Sequence, residues 1–289
     1  MRAGTLLGLA CTVGLLCGIG GILAAGSIAS APALRAIGTP PSDVPAEHIS
    51  FPSASGKPLV GWFIGGRPGR GAVLLMHGIR ANRLEMLGRA RMLYAHGFSV
   101  LLFDFQAHGE SAGTQMTFGY LEAMDARGAF DYLRRRLPDE RIGIVGTSLG
   151  GAATILSEKP IEADAIVLEA VFGSFDEALS QRLTSRFGSW LGPVVFPLLK
   201  VQVSPRLGFD PDLLNPAEKV NRLHAPLLLI AGGSDNLATL AEMKRIYARA
   251  NEPKELWVIP NAAHVDFHRF APAEYEQRVV AFFASRLPR

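Results

Sequence analysis

Cysteine is nearly missing from this chain. Of 289 residues only Cys11 and Cys17 carry a thiol, and both lie in an apolar N-terminal stretch. A disulfide framework and thiol chemistry are therefore excluded for the rest of the molecule. The compartment stays open, because an exported domain can do without disulfides. No grouping of His, Asp and Glu has metal-ligand spacing, so no metal is expected. No G-x-G-x-x-G follows an apolar strand, so no dinucleotide and no other cofactor is expected. A net charge of +3 is small, and the basic residues are scattered rather than gathered into a nucleic-acid module. Arg80, Arg83, Arg89 and Arg91 alternate with apolar residues and read as one solvated helix face. Arg134, Arg135 and Arg136 close a helix, where cations suit the dipole.

Charge of either sign is absent from Ala3 to Leu34. A run of that length exceeds the roughly 20 residues that cross a bilayer, and Arg2 precedes it. Residues 1–34 are expected to form a transmembrane anchor, or else a signal peptide cut near Ser27-Ile28-Ala29 or Ala31-Pro32-Ala33. The anchor reading makes the membrane a partner; either reading places the bulk of the chain outside the cytoplasm, periplasmic or extracellular if anchored and secreted if cut. Residues 35–46, with Pro40, Pro41 and Pro45, read as an extended linker.

From residue 47 onward the pattern is α/β. Short apolar, β-branched runs (72–76, 99–104, 142–145, 165–169, 227–231, 256–259) alternate with amphipathic helical stretches, after two early strands at 47–52 and 59–65. Runs apolar throughout belong to strands buried on both faces, so the expectation is a mostly parallel central sheet of about eight strands with helices on both faces. Residues 172–222 break the alternation. They are rich in aromatics and proline and sit between two core strands, which suits a short helical lid over the sheet's carboxyl edge.

The chemistry centres on Gly146-Thr147-Ser148-Leu149-Gly150, a G-x-S-x-G between a strand and a small-residue helix start. Such a turn holds its serine in a strained conformation with the hydroxyl off the top of the sheet. A serine hydroxyl is a poor nucleophile until an oriented base takes its proton. Two residues at the ends of later strands fit the partner roles, Asp235 in Gly232-Gly233-Ser234-Asp235-Asn236 and His264 after Ile259. Asp266 is a weaker rival for the acid. His77 and His108 read as loop supports, His224 and His268 as surface residues, and Asp104 as an organiser of its own loop.

Together with His77-Gly78 and Asp104…His108-Gly109-Glu110-Ser111, these residues resemble the α/β-hydrolase superfamily, most nearly its membrane-anchored serine aminopeptidase group. The resemblance runs from about residue 47 to the C-terminus and is loose over 172–222. It implies an α/β-hydrolase domain over 47–289 and a triad of Ser148, Asp235 and His264. The backbone amides of Leu149 and Ile79 would form the oxyanion hole. In some relatives the acid follows the previous strand, which makes Glu169 the alternative to Asp235. A Ser at the elbow argues against dehalogenase and epoxide-hydrolase chemistry, whose relatives carry Asp there.

The function expected is hydrolysis of a small carboxyl ester or thioester through an acyl-enzyme. The alternatives are an exported peptidase of the serine aminopeptidase kind, for which no acidic anchor for a free amine can be placed, and a non-catalytic binding protein on the same fold.

Overall fold

The structure, a computed structural model, describes residues 2–288; within the first helix, side chains are described for residues 14 and 16–30. The chain begins with helix α1 (Arg2–Ser30) and a two-residue strand β1 (Ala33–Leu34). An antiparallel pair follows, β2 (Ala46–Pro52) and β3 (Pro58–Ile64). Then come β4 (Ala72–Met76), α2 (Leu87–Ala95), β5 (Ser99–Phe103), β6 (His108–Gly109) and α3 (Tyr120–Arg136). The centre of the chain forms β7 (Ile142–Thr147), α4 (Leu149–Leu156) and β8 (Ala165–Glu169). A helical excursion follows, α5 (Phe175–Lys200), α6 (Val203–Leu207) and α7 (Pro216–Lys219), before β9 (Leu227–Gly232), α8 (Leu240–Arg249), β10 (Lys254–Ile259), α9 (Phe267–Phe270) and α10 (Pro272–Ala284).

Eight strands make one sheet in the order β10-β9-β8-β7-β4-β5-β3-β2. The six strands from β10 to β5 run parallel, and β3 and β2 add an antiparallel edge. This is the α/β-hydrolase architecture. The central strands β4, β5, β7 and β8 are buried at every residue because helices cover both faces, so two hydrophobic clusters form, one on each side. Their continuous apolar character, with no alternation, follows from that double cover.

Four features depart from the sequence expectations. The Arg80–Arg91 set is not one solvated face: Arg83 and Arg89 are buried, whereas Arg80 and Arg91 are exposed. Arg83 reaches Asp104 and Glu110 and lies 4.7 Å over the Trp62 ring. Arg89 reaches Glu169 at 2.6 Å and Asp266 at 2.9 Å. Alternation with apolar residues masks this, because a buried guanidinium needs only partners, and those come from distant strands. Second, His268 is half-buried, with its ring 5.3 Å from that of Tyr275.

Third, the stretch expected as linker is fastened. β1 pairs in parallel with β6, the Arg35 amide donates to the Gly109 carbonyl at 2.8 Å, and the Ile37 and Gly38 amides donate to Glu110 Oε1 at 2.8 and 2.9 Å. Fourth, the last turns of α1 lie against α5 and α6. Gln202 donates to the Ile22 carbonyl at 3.2 Å, Arg206 to the Leu23 carbonyl at 3.0 Å and to Ser27 Oγ, and Arg80 to the Ile28 carbonyl. Of the expected membrane-crossing run from Ala3, only some of the side chains lie among the described ones. Among the described residues, no helix is long and apolar enough to cross a membrane.

Candidate active site

Ser148 stands at φ 50°, ψ −107° between the end of β7 and the start of α4. The glycines around it explain why that strained backbone is tolerated. A Cβ on Gly146 would come within 2.7 Å of the Gly150 carbonyl carbon and oxygen, and one on Gly150 would run into the Met76 carbonyl. β7 and α4 cross too closely for a side chain at 146, and α4 starts too close to β4 for one at 150. The Ser148 amide donates to the Glu169 carbonyl at 2.7 Å, tying the turn to the neighbouring strand.

Asp235 and His264 follow β9 and β10, adjacent strands in the sheet. His264 Nδ1 lies 2.8 Å from Asp235 Oδ2, with the Asp235 side chain buried and 23% of the His264 side chain exposed. The other carboxylate oxygen of Asp235 accepts the Leu237 and Ala238 amides at 2.8 and 2.9 Å. With both oxygens occupied, the carboxylate is fixed in orientation and holds one edge of the imidazole. His264 and Ser148 line one polar pocket; among the described residues no hydrogen bond joins them, and such contacts are often looser without substrate.

The other candidate acids are engaged elsewhere. Glu169 accepts from Arg89 Nη2 at 2.6 Å, from Thr147 Oγ1 at 3.2 Å and from the Tyr275 hydroxyl. Asp266 pairs with Arg89 and caps α9 through the His268 and Arg269 amides. Tyr275 is held as a neutral phenol, its pKa raised by burial and by the Glu169 charge. This cluster braces the elbow from beneath.

The loops beside the elbow are equally strutted. Phe105 donates its amide to His77 Nε2 at 3.1 Å, and His77 Nδ1–H donates to the Gly78 carbonyl at 2.7 Å. Burial, with His108 beside it, pushes the His77 pKa down to about 3, so the ring is neutral. Asp104 Oδ1 accepts the Arg83 amide at 2.7 Å and Oδ2 the Glu110 amide at 2.9 Å. Ile79 and Leu149 flank Ser148 on the wall of the larger cavity, and among the described residues neither amide finds an acceptor.

Ser148 sits where two cavities meet. One, of about 640 Å³, is walled by Phe172, Phe175, Leu179 and Leu183 of the excursion, Phe118, and α1. Its volume is typical of a ligand site, roughly 300–1,000 Å³. The other, of about 280 Å³, contains Glu85, Arg89, Arg182, His264 and Asp266. Glu85 Oε2 accepts the Gly78 amide at 2.6 Å, and burial raises the pKa of its carboxyl.

Three contributors were not singled out from the sequence. Ala25, Ile28 and Ala29 of α1 form part of the larger cavity's wall. Arg182 of α5 borders both cavities, its pKa lowered by burial. Glu85 carries no motif. Only Arg182 left a trace, as the first of two arginines four apart in a stretch of the lid without acids.

Fold and elbow define an α/β hydrolase, and comparison with known proteins agrees. Residues 67–216 match the family model described as "Serine aminopeptidase, S33", and the chain belongs to that family. It is 31% identical over 242 residues to protein Rv2307c of Mycobacterium tuberculosis, an alignment covering 81% of this chain and 78% of that one. It is similar to human protein ABHD12B at 27% identity over 210 residues, covering 67% of this chain and 54% of the relative. Among solved structures, the esterase Pf2001 of Pyrococcus furiosus superimposes with a TM-score of 0.72 at 27% identity, covering 88% of this chain and 97% of the esterase.

Proposed function

We propose that this hydrolase cleaves carboxyl esters or thioesters through an acyl-enzyme, with Ser148 as nucleophile, His264 as base and Asp235 as its orienting acid. The observation that carries the reading is the place of Ser148. It lies at the junction of an apolar cavity and a polar one, with an Asp-paired imidazole on the polar side.

His264 takes the Ser148 proton as the oxygen attacks the carbonyl carbon. Asp235 stabilises the imidazolium that forms. The carbonyl oxygen becomes an oxyanion facing the Leu149 and Ile79 amides, the first of which opens α4. Collapse breaks the bond to the leaving group, which takes the proton from His264. Water, deprotonated by the same imidazole, then releases the acid and restores Ser148. An apolar acyl chain fits the larger cavity, and a polar leaving group departs through the smaller one past Arg182.

The esterase Pf2001 supports the ester reading. The peptidase alternative gains one observation, a pair of acids in the polar cavity. Neither acid is free for an ammonium: Asp266 is spent on Arg89, and Glu85 is taken up by the Gly78 amide. The anchored, exported placement of the N-terminal run is likewise proposed. Retention suits the contacts better than cleavage, since a cut after residue 29 or 33 would strip Ala25, Ile28 and Ala29 from the cavity wall.

The test is a fluorophosphonate probe followed by a substrate panel. Wild type should be labelled and Ser148→Ala should not. Nitrophenyl esters of longer acyl chains should exceed acetate in kcat/KM, and aminoacyl anilides should lag both. Absence of labelling in folded wild type would leave a binding protein on a hydrolase fold.

A further inference from the structure

Helix α5 is broken at Gly188, which takes φ 77° and ψ 172°. The half before the break packs over the site. The half after it turns an apolar face to solvent: Trp190, Val194, Leu198 and Val201 recur at helical spacing along one side, with Leu191 beside them. Trp190 is 91% exposed. A contiguous apolar stripe on a surface helix marks an interaction site.

Three observations say what covers it. From Ala178 to Phe209 the chain has no Asp or Glu but carries Arg182, Arg186, Lys200 and Arg206. Lys200 is spent on Asp176 and Asp212, and Arg206 on α1. Arg186 is exposed at the start of the stripe and, among the described residues, pairs with no carboxylate. Second, the neighbouring α1 adds its own exposed apolar positions, Leu16, Ile19 and Leu23. Exposed apolar residues thus lie on both of two contacting helices, α1 being held to the end of this segment through the Ile22 and Leu23 carbonyls. Third, Phe187, just before the break, and Leu199, near the end of the exposed half, also line the cavity that reaches Ser148. The cavity mouth therefore opens beside the stripe.

We propose that the second half of α5, together with the adjoining face of α1, seats on a phospholipid leaflet containing anionic headgroups. An apolar face with an aromatic at its start and arginine at its border has the composition of helices that lie in the headgroup–acyl boundary. Seating requires no helix to cross the bilayer. It also gives the cavity a supply route: the acyl chain of a membrane lipid reaches Ser148 from the leaflet without passing through water. That last step rests on the hydrolase reading; the seating does not.

The chain's three tryptophans make this measurable, because Trp62 and Trp257 are buried at 1% and 6% exposure. The full-length protein is mixed with phosphatidylcholine vesicles containing phosphatidylglycerol, with or without brominated acyl chains, and separated by flotation. The protein should float, its emission should move to shorter wavelength, and bromine should remove most of the Trp190 contribution. Trp190→Phe should abolish the shift and the bromine effect while leaving hydrolysis of a soluble short-chain ester unchanged. Arg186→Glu should weaken the response on phosphatidylglycerol vesicles several-fold. Floating protein whose emission neither shifts nor responds to bromine overturns the proposal. A shift without bromine quenching overturns it too, since a second copy of the chain would then cover Trp190. Failure to float also overturns it. Hydrolysis is not the readout, so a failure here and a failure of fluorophosphonate labelling are separate results.

Discussion

The carboxyl edge of the sheet and the helical cover above it are built on different principles. At the edge, backbone strain is concentrated and fully braced. Arg80, Ala107, Ser148, Ala170 and Asn261 all take positive φ within a few residues of a strand's end. The side chains beneath them are locked by ion pairs and amide-to-carboxylate bonds. The cover is tied mostly at its partly exposed surface. It consists of α1, α5 and α6: side chains past α5 reach the carbonyls of α1, Lys200 and Glu177 make partly exposed ion pairs, and apolar residues face both the cavity and solvent. On the function proposed above, the difference divides the work: the edge would hold the reacting groups in a fixed geometry, and the cover would set what enters.

The sharpest way to break this division is at the edge. Ser148→Ala should fold as wild type and lose turnover by a factor on the order of 10⁶, as when a triad acts as a unit. Circular dichroism and single-turnover assays on the same preparation check it. Next, Asp235→Asn should lose on the order of 10³–10⁴ in kcat by holding the wrong tautomer of His264. Glu169→Gln should lose little activity per folded molecule but destabilise the fold, by about 1–3 kcal/mol, because buried Arg89 keeps Asp266 as its one carboxylate partner. Chemical unfolding beside kinetics separates the two; a reversed ranking would make Glu169 the acid.

A third measurement concerns Asp125 of α3, which holds the edge loop by accepting the Gln106 amide and side-chain NH₂ at 2.8 and 3.0 Å. Burial raises its pKa from 3.8 to about 7. A carboxyl with a raised folded-state pKa favours folding below its unfolded value and loses that advantage as pH rises through the folded one. Asp125→Asn should therefore gain stability relative to wild type between about pH 4 and pH 7, by a few kcal/mol, and level off above. Parallel melting curves across that range measure the gap, and a constant gap would refute it. The smallest effect belongs to the cover. Deleting residues 2–30 should leave the sheet folded and cut kcat/KM for long acyl esters about tenfold relative to short ones. Equal losses on both substrates would mean that α1 supports the edge rather than the cavity.

Much of the edge was legible in the sequence and little of the cover was. Gly146, Gly150 and the β-branched run before them announce a crossing too tight for side chains, a local requirement written in adjacent residues. Asp235 and His264 each follow an apolar strand, and the parallel pairing of the two strands brings them together. Arg89 and Glu169 were opaque because their meaning depends on a partner 80 residues away. The cavity wall from α1 was opaque for another reason. An uncharged run signals burial or lipid without saying against what, and it is the Gln202, Arg206 and Arg80 contacts that show part of it facing this domain.

Glu110 joins these two regions in a way that can be restated as mechanics. One of its oxygens holds the amides of Ile37 and Gly38, and the other holds Arg83, which in turn grips Asp104 at the end of β5. A load applied to the N-terminal helix is therefore not spent on a slack tether. It passes along the strap of residues 33–38, through the parallel pairing with His108 and Gly109, and is delivered to the sheet's carboxyl edge at the end of β5, two strands from the elbow. The molecule is gripped close to its working edge, so tension in the first helix and the shape of the site share one line of force.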